Sequence, residues 1–106
     1  MAFDFEFYSE DLARDAALRE EAEASLRELA EGRHDMIGAS VAIEAIARGE
    51  TDHLYEARVV AYIKPDNVVA TEKGRTPQLA LSGALDAVER QIRQQRQEFR
   101  KPWQQP

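Results

Sequence analysis

The spacing of hydrophobic residues along this chain switches between a period of two and a period near 3.6, and each switch marks a new element. From Ala2 to Tyr8, Phe3, Phe5 and Phe7 alternate with Asp4 and Glu6, which predicts a half-buried strand with its phenylalanines on one side. Ser9 and Asp11 both suit a helix N-cap, and the acidic residues after Ser9 match the positive end of a helix dipole. A helix is therefore expected from near residue 10 to about Ala30. Within it Leu18, Ala22, Leu26 and Leu29 form a narrow apolar stripe, and Gly32 stands where a left-handed C-terminal cap is expected.

From Met36 the period returns to two. Ile37, Ala39, Val41 and Ile43 alternate with Gly38, Ser40, Ala42 and Glu44, predicting a second strand that buries the first set. The polar segment Arg48 to His53, with Gly49, should turn the chain. In a third strand, Leu54 to Lys64, Tyr55, Ala57, Val59, Ala61 and Ile63 oppose Glu56, Arg58, Val60, Tyr62 and Lys64. Pro65, Asp66 and Asn67 favour a tight turn, and Val68 to Glu72 pairs back as a fourth strand.

Thr76 before Pro77 is a helix start, the hydroxyl capping free amides while proline fills a first-turn position that needs no amide hydrogen bond. The long helix that follows sorts Leu81, Leu85, Val88, Ile92 and Phe99 onto one side and Arg90, Arg93, Arg100 and Lys101 onto the other. Proline disfavours helical geometry in the residue before it, so Lys101-Pro102 should end this helix. The order β-α-β-β-β-α predicts an α+β fold, a two-layer sandwich with a four-stranded sheet and both helices on one face. Residues 1–101 are expected to form a single domain and 102–106 a short C-terminal tail.

At 106 residues the chain is long enough for one core and too short to split into two. No apolar run approaches the roughly 20 residues that span a bilayer, and the acidic start lacks the basic flank of a secretory signal, so a cytoplasmic location is the default expectation. The absence of cysteine excludes disulfides, thiol catalysis and thiolate metal sites. Net charge is -6, yet unevenly placed: residues 1–53 hold 14 acidic and 5 basic side chains, and residues 54–106 hold 6 and 9. An arginine-bearing helix face in the second half is thus a candidate contact for phosphate, whose oxygens match the guanidinium fork; the plainer reading is a solvated face.

Enzymatic chemistry finds little foothold. His34 and His53, the only histidines, fall in polar connections without metal-ligand spacing, and Asp52, His53 and Glu56 are explained equally well by a polar turn before a strand. Gly74 and Gly83 are isolated, so no glycine-rich phosphate loop is present. Glu44, Glu56 and Arg58 read as an exposed cross-strand ladder. Tyr55 and Tyr62 have opposite strand parity, which argues against a shared aromatic platform for bases. No catalytic residue, cofactor or metal is assigned.

The element order and several local strings resemble the ribosome hibernation-promoting factor and ribosome-associated inhibitor family in its short, sigma-54 modulation protein-like form. Ala17-Leu18-Arg19-Glu20 with Leu26 and Leu29 carries the resemblance in the first helix, and Ala84 to Arg93 (ALDAVERQIR) carries it in the second. The resemblance implies a non-enzymatic protein that binds the small ribosomal subunit and its rRNA near the decoding region, inhibiting translation or stabilising idle ribosomes under stress. It also implies contacts to RNA phosphates from both helices, here Arg90, Arg93, Arg96, Arg100 and Lys101 in the second and Arg19 and Arg27 in the first. The first helix departs from the family pattern, with Ser25 and Glu28 where lysine is common and Glu20, Glu21 and Glu23 close by. Long members dimerise through an additional C-terminal domain that this chain is expected to lack. The alternative is an interaction module or homodimeric regulator that keeps the fold without rRNA binding, using the open sheet face or an exposed edge strand. A small hydrolase or metal-dependent enzyme ranks last.

Overall fold

Each stretch of period two pairs into one mixed sheet, and each stretch of period 3.6 becomes a helix laid across it. The computed structural model describes the backbone of residues 3–11, 13–48 and 53–104, and the side chains of these except 47, 48, 53 and 99–104. The elements are β1 (Asp4–Ser9), α1 (Ala16–Ala30), β2 (Met36–Arg48), β3 (His53–Ile63), β4 (Val68–Gly74) and α2 (Pro77–Gln104). The sheet order is β1-β2-β3-β4. β1 pairs parallel to β2, so α1 serves as the crossover, and β2, β3 and β4 form an antiparallel meander.

Both helices lie on one face, giving the two-layer α+β sandwich expected from the element order. Residues from every strand line up beneath them, as in the row Phe7, Val41, Val59 and Ala70, paired strand to strand. α2 covers β3 and β4, while α1 rests over β2 and against α2. The core is rich in alanine: Ala39, Ala57, Ala61 and Ala70 from the sheet meet Ala80, Ala84 and Ala87 from α2, with Leu81, Val88 and Ile92 filling between them. Small side chains on both surfaces let the helix backbone sit close to the sheet, and each fully buried leucine or isoleucine adds about 1.5–3 kcal/mol. On α1, Ala22 and Leu26 are buried and Leu18 and Leu29 partly so, which is the predicted stripe. Phe99 lies outside the described side chains.

Three local expectations fail for physical reasons. α1 begins at Ala16, not near residue 10, because the polar groups before it close a turn instead. Ser9 is buried and donates its hydroxyl to Asp15, the Asp11 carboxylate accepts the Arg14 amide at 3.0 Å, and the Asp11 carbonyl accepts the Asp15 amide at 3.0 Å. Ile37 is not in the core but 56% exposed. Met36 pairs with Ile63 and Gly38 with Tyr62, so Ile37 is the extra residue of a bulge and Met36 takes the buried place that strict alternation assigns to Ile37. α2 continues through Pro102 to Gln104; a proline in the last turn removes only one backbone hydrogen bond there.

Other local readings hold. The Leu79 amide donates to the Thr76 hydroxyl at 3.1 Å ahead of Pro77's helix, and Gly32 adopts a φ of 71° just past α1. The Ile63 amide donates to the Asn67 side chain at 3.1 Å, closing the turn from β3 to β4. Gly38 is needed for a different reason, since a Cβ there would stand 2.6 Å from the Asp4 carbonyl oxygen of β1. Gly38→Ala should therefore force β1 away from β2 and cost about 1–3 kcal/mol by overpacking. Ser40→Ala, on the same strand face, should stay within about 0.5 kcal/mol; urea midpoints of the two variants test the contrast.

Candidate nucleic-acid interface

The arginines of α1 sit on its β1 side, where the helix period brings Arg19, Glu23 and Arg27 into one row. Glu23 accepts from both arginines, at 3.3 Å from Arg19 and 2.8 Å from Arg27. Each guanidinium also covers an aromatic ring of the β1 side, Arg19 over Phe5 at 5.6 Å and Arg27 over Phe3 at 5.2 Å. They shield the apolar side of an edge strand while keeping about half of each side chain in solvent. Arg14, which the sequence pattern did not single out, behaves alike: it grips Asp15 with two hydrogen bonds of 2.8 and 2.9 Å and lies over Tyr55 at 5.4 Å. Asp15 is almost wholly buried, and its carboxyl is held below the ordinary range first by the Arg14 fork and also by the Ser9 hydroxyl, against the opposing effect of burial.

On α2 the candidates divide. Arg90 points away from the core, is exposed, and has no ion pair among the described residues. Arg93 is 69% exposed and bonded to Glu89 at 2.6 Å, one turn earlier. Arg96 is only 13% exposed and faces inward: its guanidinium takes both Asp35 oxygens at 2.8 and 3.0 Å and donates to the Leu29 carbonyl at 3.0 Å. The residue expected to reach phosphate instead ties α2 to the end of α1 and the start of β2, because its helix position is rotated toward the buried side. The side chains of Arg100 and Lys101 lie outside the described residues.

These residues do not gather into one strip. Arg93 and Arg96 border a groove between the helices that also takes in Arg33, Glu28, Glu31 and Glu89, so its charge is balanced. Arg19 and Arg27 occupy the opposite flank of α1. Arg33 and Asp35 were missed by sequence reasoning; Asp35 lies 61 residues from Arg96, and no local pattern announces such a pair. Tyr55 packs against the core on the helix side while Tyr62 lies on the other face, its hydroxyl 3.4 Å from Ser40 Oγ, so no shared tyrosine platform exists between them. Among the described residues no three His, Asp or Glu side chains group as metal ligands; Asp52 and the His53 side chain lie outside them.

Residues 5–100 match the model of the sigma 54 modulation protein / S30EA ribosomal protein family. The chain belongs to this family. Among solved structures it is similar to the N-terminal domain of Thermus thermophilus Protein Y, with a TM-score of 0.69 and 18% identity over 88% of this chain and 98% of that one. It is also similar to a ribosomal subunit interface protein from Coxiella burnetii, with a TM-score of 0.64 and 14% identity over 89% of this chain and 98% of the other. At these identities the likeness shows the fold. No curated protein sequence matches the chain. No helix among the described residues of this S30EA-family chain is long and apolar enough to cross a membrane.

Magnitudes separate the arginines of this S30EA-family chain into two kinds. An exposed pair such as Arg93 with Glu89 is worth about 0–1 kcal/mol, so an incoming phosphate can displace the glutamate. Breaking the enclosed Arg96 pair strands Asp35 and the Leu29 carbonyl, at about 3 kcal/mol. Arg96→Ala should lower unfolding free energy by roughly that amount, while Arg90→Ala should stay within about 0.5 kcal/mol in the same denaturant titration. The Arg96 fork, followed by the nearby charges of Arg96 and Arg33, holds the Asp35 carboxyl below its usual range against burial. The stability this contributes is complete above the unfolded carboxylate range and is lost as pH falls through the depressed folded value. Arg96→Ala should accordingly show a flatter loss of stability on acidification than the parent chain.

Proposed function

We propose that this chain is a non-enzymatic, cytoplasmic, ribosome-associated protein that binds the small ribosomal subunit through its rRNA and inhibits translation or stabilises idle ribosomes. Membership of the S30EA family over residues 5–100 carries the reading. The names of the two similar structures, a Protein Y domain and a ribosomal subunit interface protein, point the same way. The chemistry is electrostatic docking of guanidinium groups on the RNA backbone, with no bond made or broken.

The outward side of α2 leads this contact. Arg90 has no ion pair among the described residues and Arg93 is held only by an exposed glutamate, so both can be turned to phosphate at little cost. Arg100 and Lys101 continue the same side of the sequence pattern. α1 contributes less, since Arg19 and Arg27 share Glu23 and stand among Glu20, Glu21 and Glu28. A contact resting on a few phosphates is weak and salt-sensitive, each one steepening the dependence of log affinity on log salt by about 0.7–0.9.

A second reading, a protein-interaction module that can be homodimeric, is favoured by the exposed hydrophobic side chains of Tyr62 and Val69 on the uncovered side of the sheet. For the first reading, the purified chain should co-sediment with small subunits at low salt, and Arg90→Glu with Arg93→Glu should abolish this. Sedimentation unchanged by that double reversal would remove α2 from the mechanism. Glu89→Gln, which releases Arg93, should raise the bound fraction several-fold at intermediate salt; no gain would show that the pair does not restrain Arg93.

A further inference from the structure

α2 is longer than the part of the sheet that it covers. Among the described residues, its last side chains bonded to another element are Gln95, which donates to the Lys64 carbonyl at 3.3 Å, and Arg96, which holds Asp35 and the Leu29 carbonyl. Those partners stand where the body of the protein stops, since β3 ends at Ile63, α1 ends at Ala30 and β2 starts at Met36. The helix continues from Gln97 through Gln104, eight residues that extend it by about 12 Å at roughly 1.5 Å per residue.

The apolar side of the helix does not stop with the sheet. Phe99 and Trp103 follow the buried Ile92 at seven and eleven residues, in the phase that Arg96 shares at four. The helix period thus sets these two aromatic residues one turn apart on the sheet side of α2, past the point at which the sheet ends. Residues 90–104 also hold Arg90, Arg93, Arg96, Arg100 and Lys101 against a single acid, Glu98, with five glutamines among them. Arg96 is committed to Asp35, but Arg93 and Arg100, seven residues apart, share the helix flank next to the aromatic pair.

We infer that the projecting end of α2 binds single-stranded RNA, with unpaired bases stacked on Phe99 and Trp103 and phosphates along the flank of Arg93 and Arg100. The inference rests on the rRNA reading above and specifies the form of RNA and the residues that select it. Every base has a π-face, so stacking of this kind tolerates any sequence, but it requires bases free of a duplex. An A-form duplex keeps its bases stacked on one another and offers this end its backbone alone. Charge favours RNA over an apolar partner, because the aromatic pair is flanked by cations and amides, which suit phosphates and base edges. Binding to a membrane surface scales with buried apolar area, and two aromatic residues supply little of it.

Trp103 is the only tryptophan, so its emission reports this end of the helix directly. The test titrates the full chain with a single-stranded oligoribonucleotide of mixed sequence and with a duplex of the same length, following Trp103 emission and, in parallel, the anisotropy of labelled RNA. The single strand should bind more tightly and quench Trp103, while the duplex should bind without quenching. Trp103→Ala should weaken single-strand binding roughly tenfold, as expected for one lost stack, and leave duplex affinity and thermal melting unchanged. Trp103→Phe should retain most of the binding. Single-stranded RNA that binds without quenching, or that binds Trp103→Ala as tightly as the parent, overturns the stacking and leaves the ribosome reading in place. Co-sedimentation with small subunits without any oligoribonucleotide binding does the same. A parent chain that neither binds RNA at low salt nor co-sediments overturns both. Quenching by phosphatidylserine vesicles but not by RNA assigns this end to a membrane, and emission that changes on dilution of the chain alone assigns it to a second copy; either overturns the inference.

Discussion

The close seating of α2 on β3 and β4 is the constraint on which the rest of the molecule depends. It is possible because the surfaces that meet are built of alanine and β-branched residues, with bulk supplied by only a few positions such as Leu81, Val88 and Ile92. A helix held that near the sheet has little rotational freedom, and the direction of every outer side chain follows from it. Arg96 falls inward over the start of β2, while Arg90 falls outward. The difference between a strut and a free cation is thus decided by about six residues of helical phase.

Electrostatics in this chain follows from competition between local carboxylates and distant partners. The first helix holds more glutamates than arginines, so its cations are engaged before any ligand arrives. The second helix has fewer acids, and its exposed pair between Arg93 and Glu89 is of the kind that solvent already weakens. An S30EA-family fold with such a distribution keeps its most easily displaced cations on one helix. That asymmetry also explains why net charge, taken over the whole chain, is a poor guide to where a polyanion would touch.

Much of this was legible in the chain itself. The period of the apolar positions gave every element and the correct class of fold, because one buried face per element is a condition of the two-layer arrangement. Boundaries and phases were less legible where one residue had two competing uses. Ser9 and Asp11 look like helix caps, and their side chains do bond the backbone or a neighbouring carboxylate, but in a turn that delays the helix. The bulge at Ile37 is silent in the sequence, since Met36 and Ile37 are both apolar and either satisfies the alternation. The candidate arginines were visible as a helical pattern, whereas their partners were not. Glu89 lies one turn from Arg93 and could be foreseen, while the bond from Arg96 to Asp35 depends on how α1, β2 and α2 converge.

The lone parallel pairing in the sheet bears on the order in which the molecule assembles. β2, β3 and β4 are neighbours in sequence and can zip together through hairpins, but β1 pairs parallel to β2 and the whole of α1 lies between them in the chain. Its register must be found over a long closed loop, which makes its docking entropically the most demanding step. Gly38, where a side chain would collide with the carbonyl of Asp4, is thus the seat that the meander holds open for the strand whose closure costs the most chain entropy.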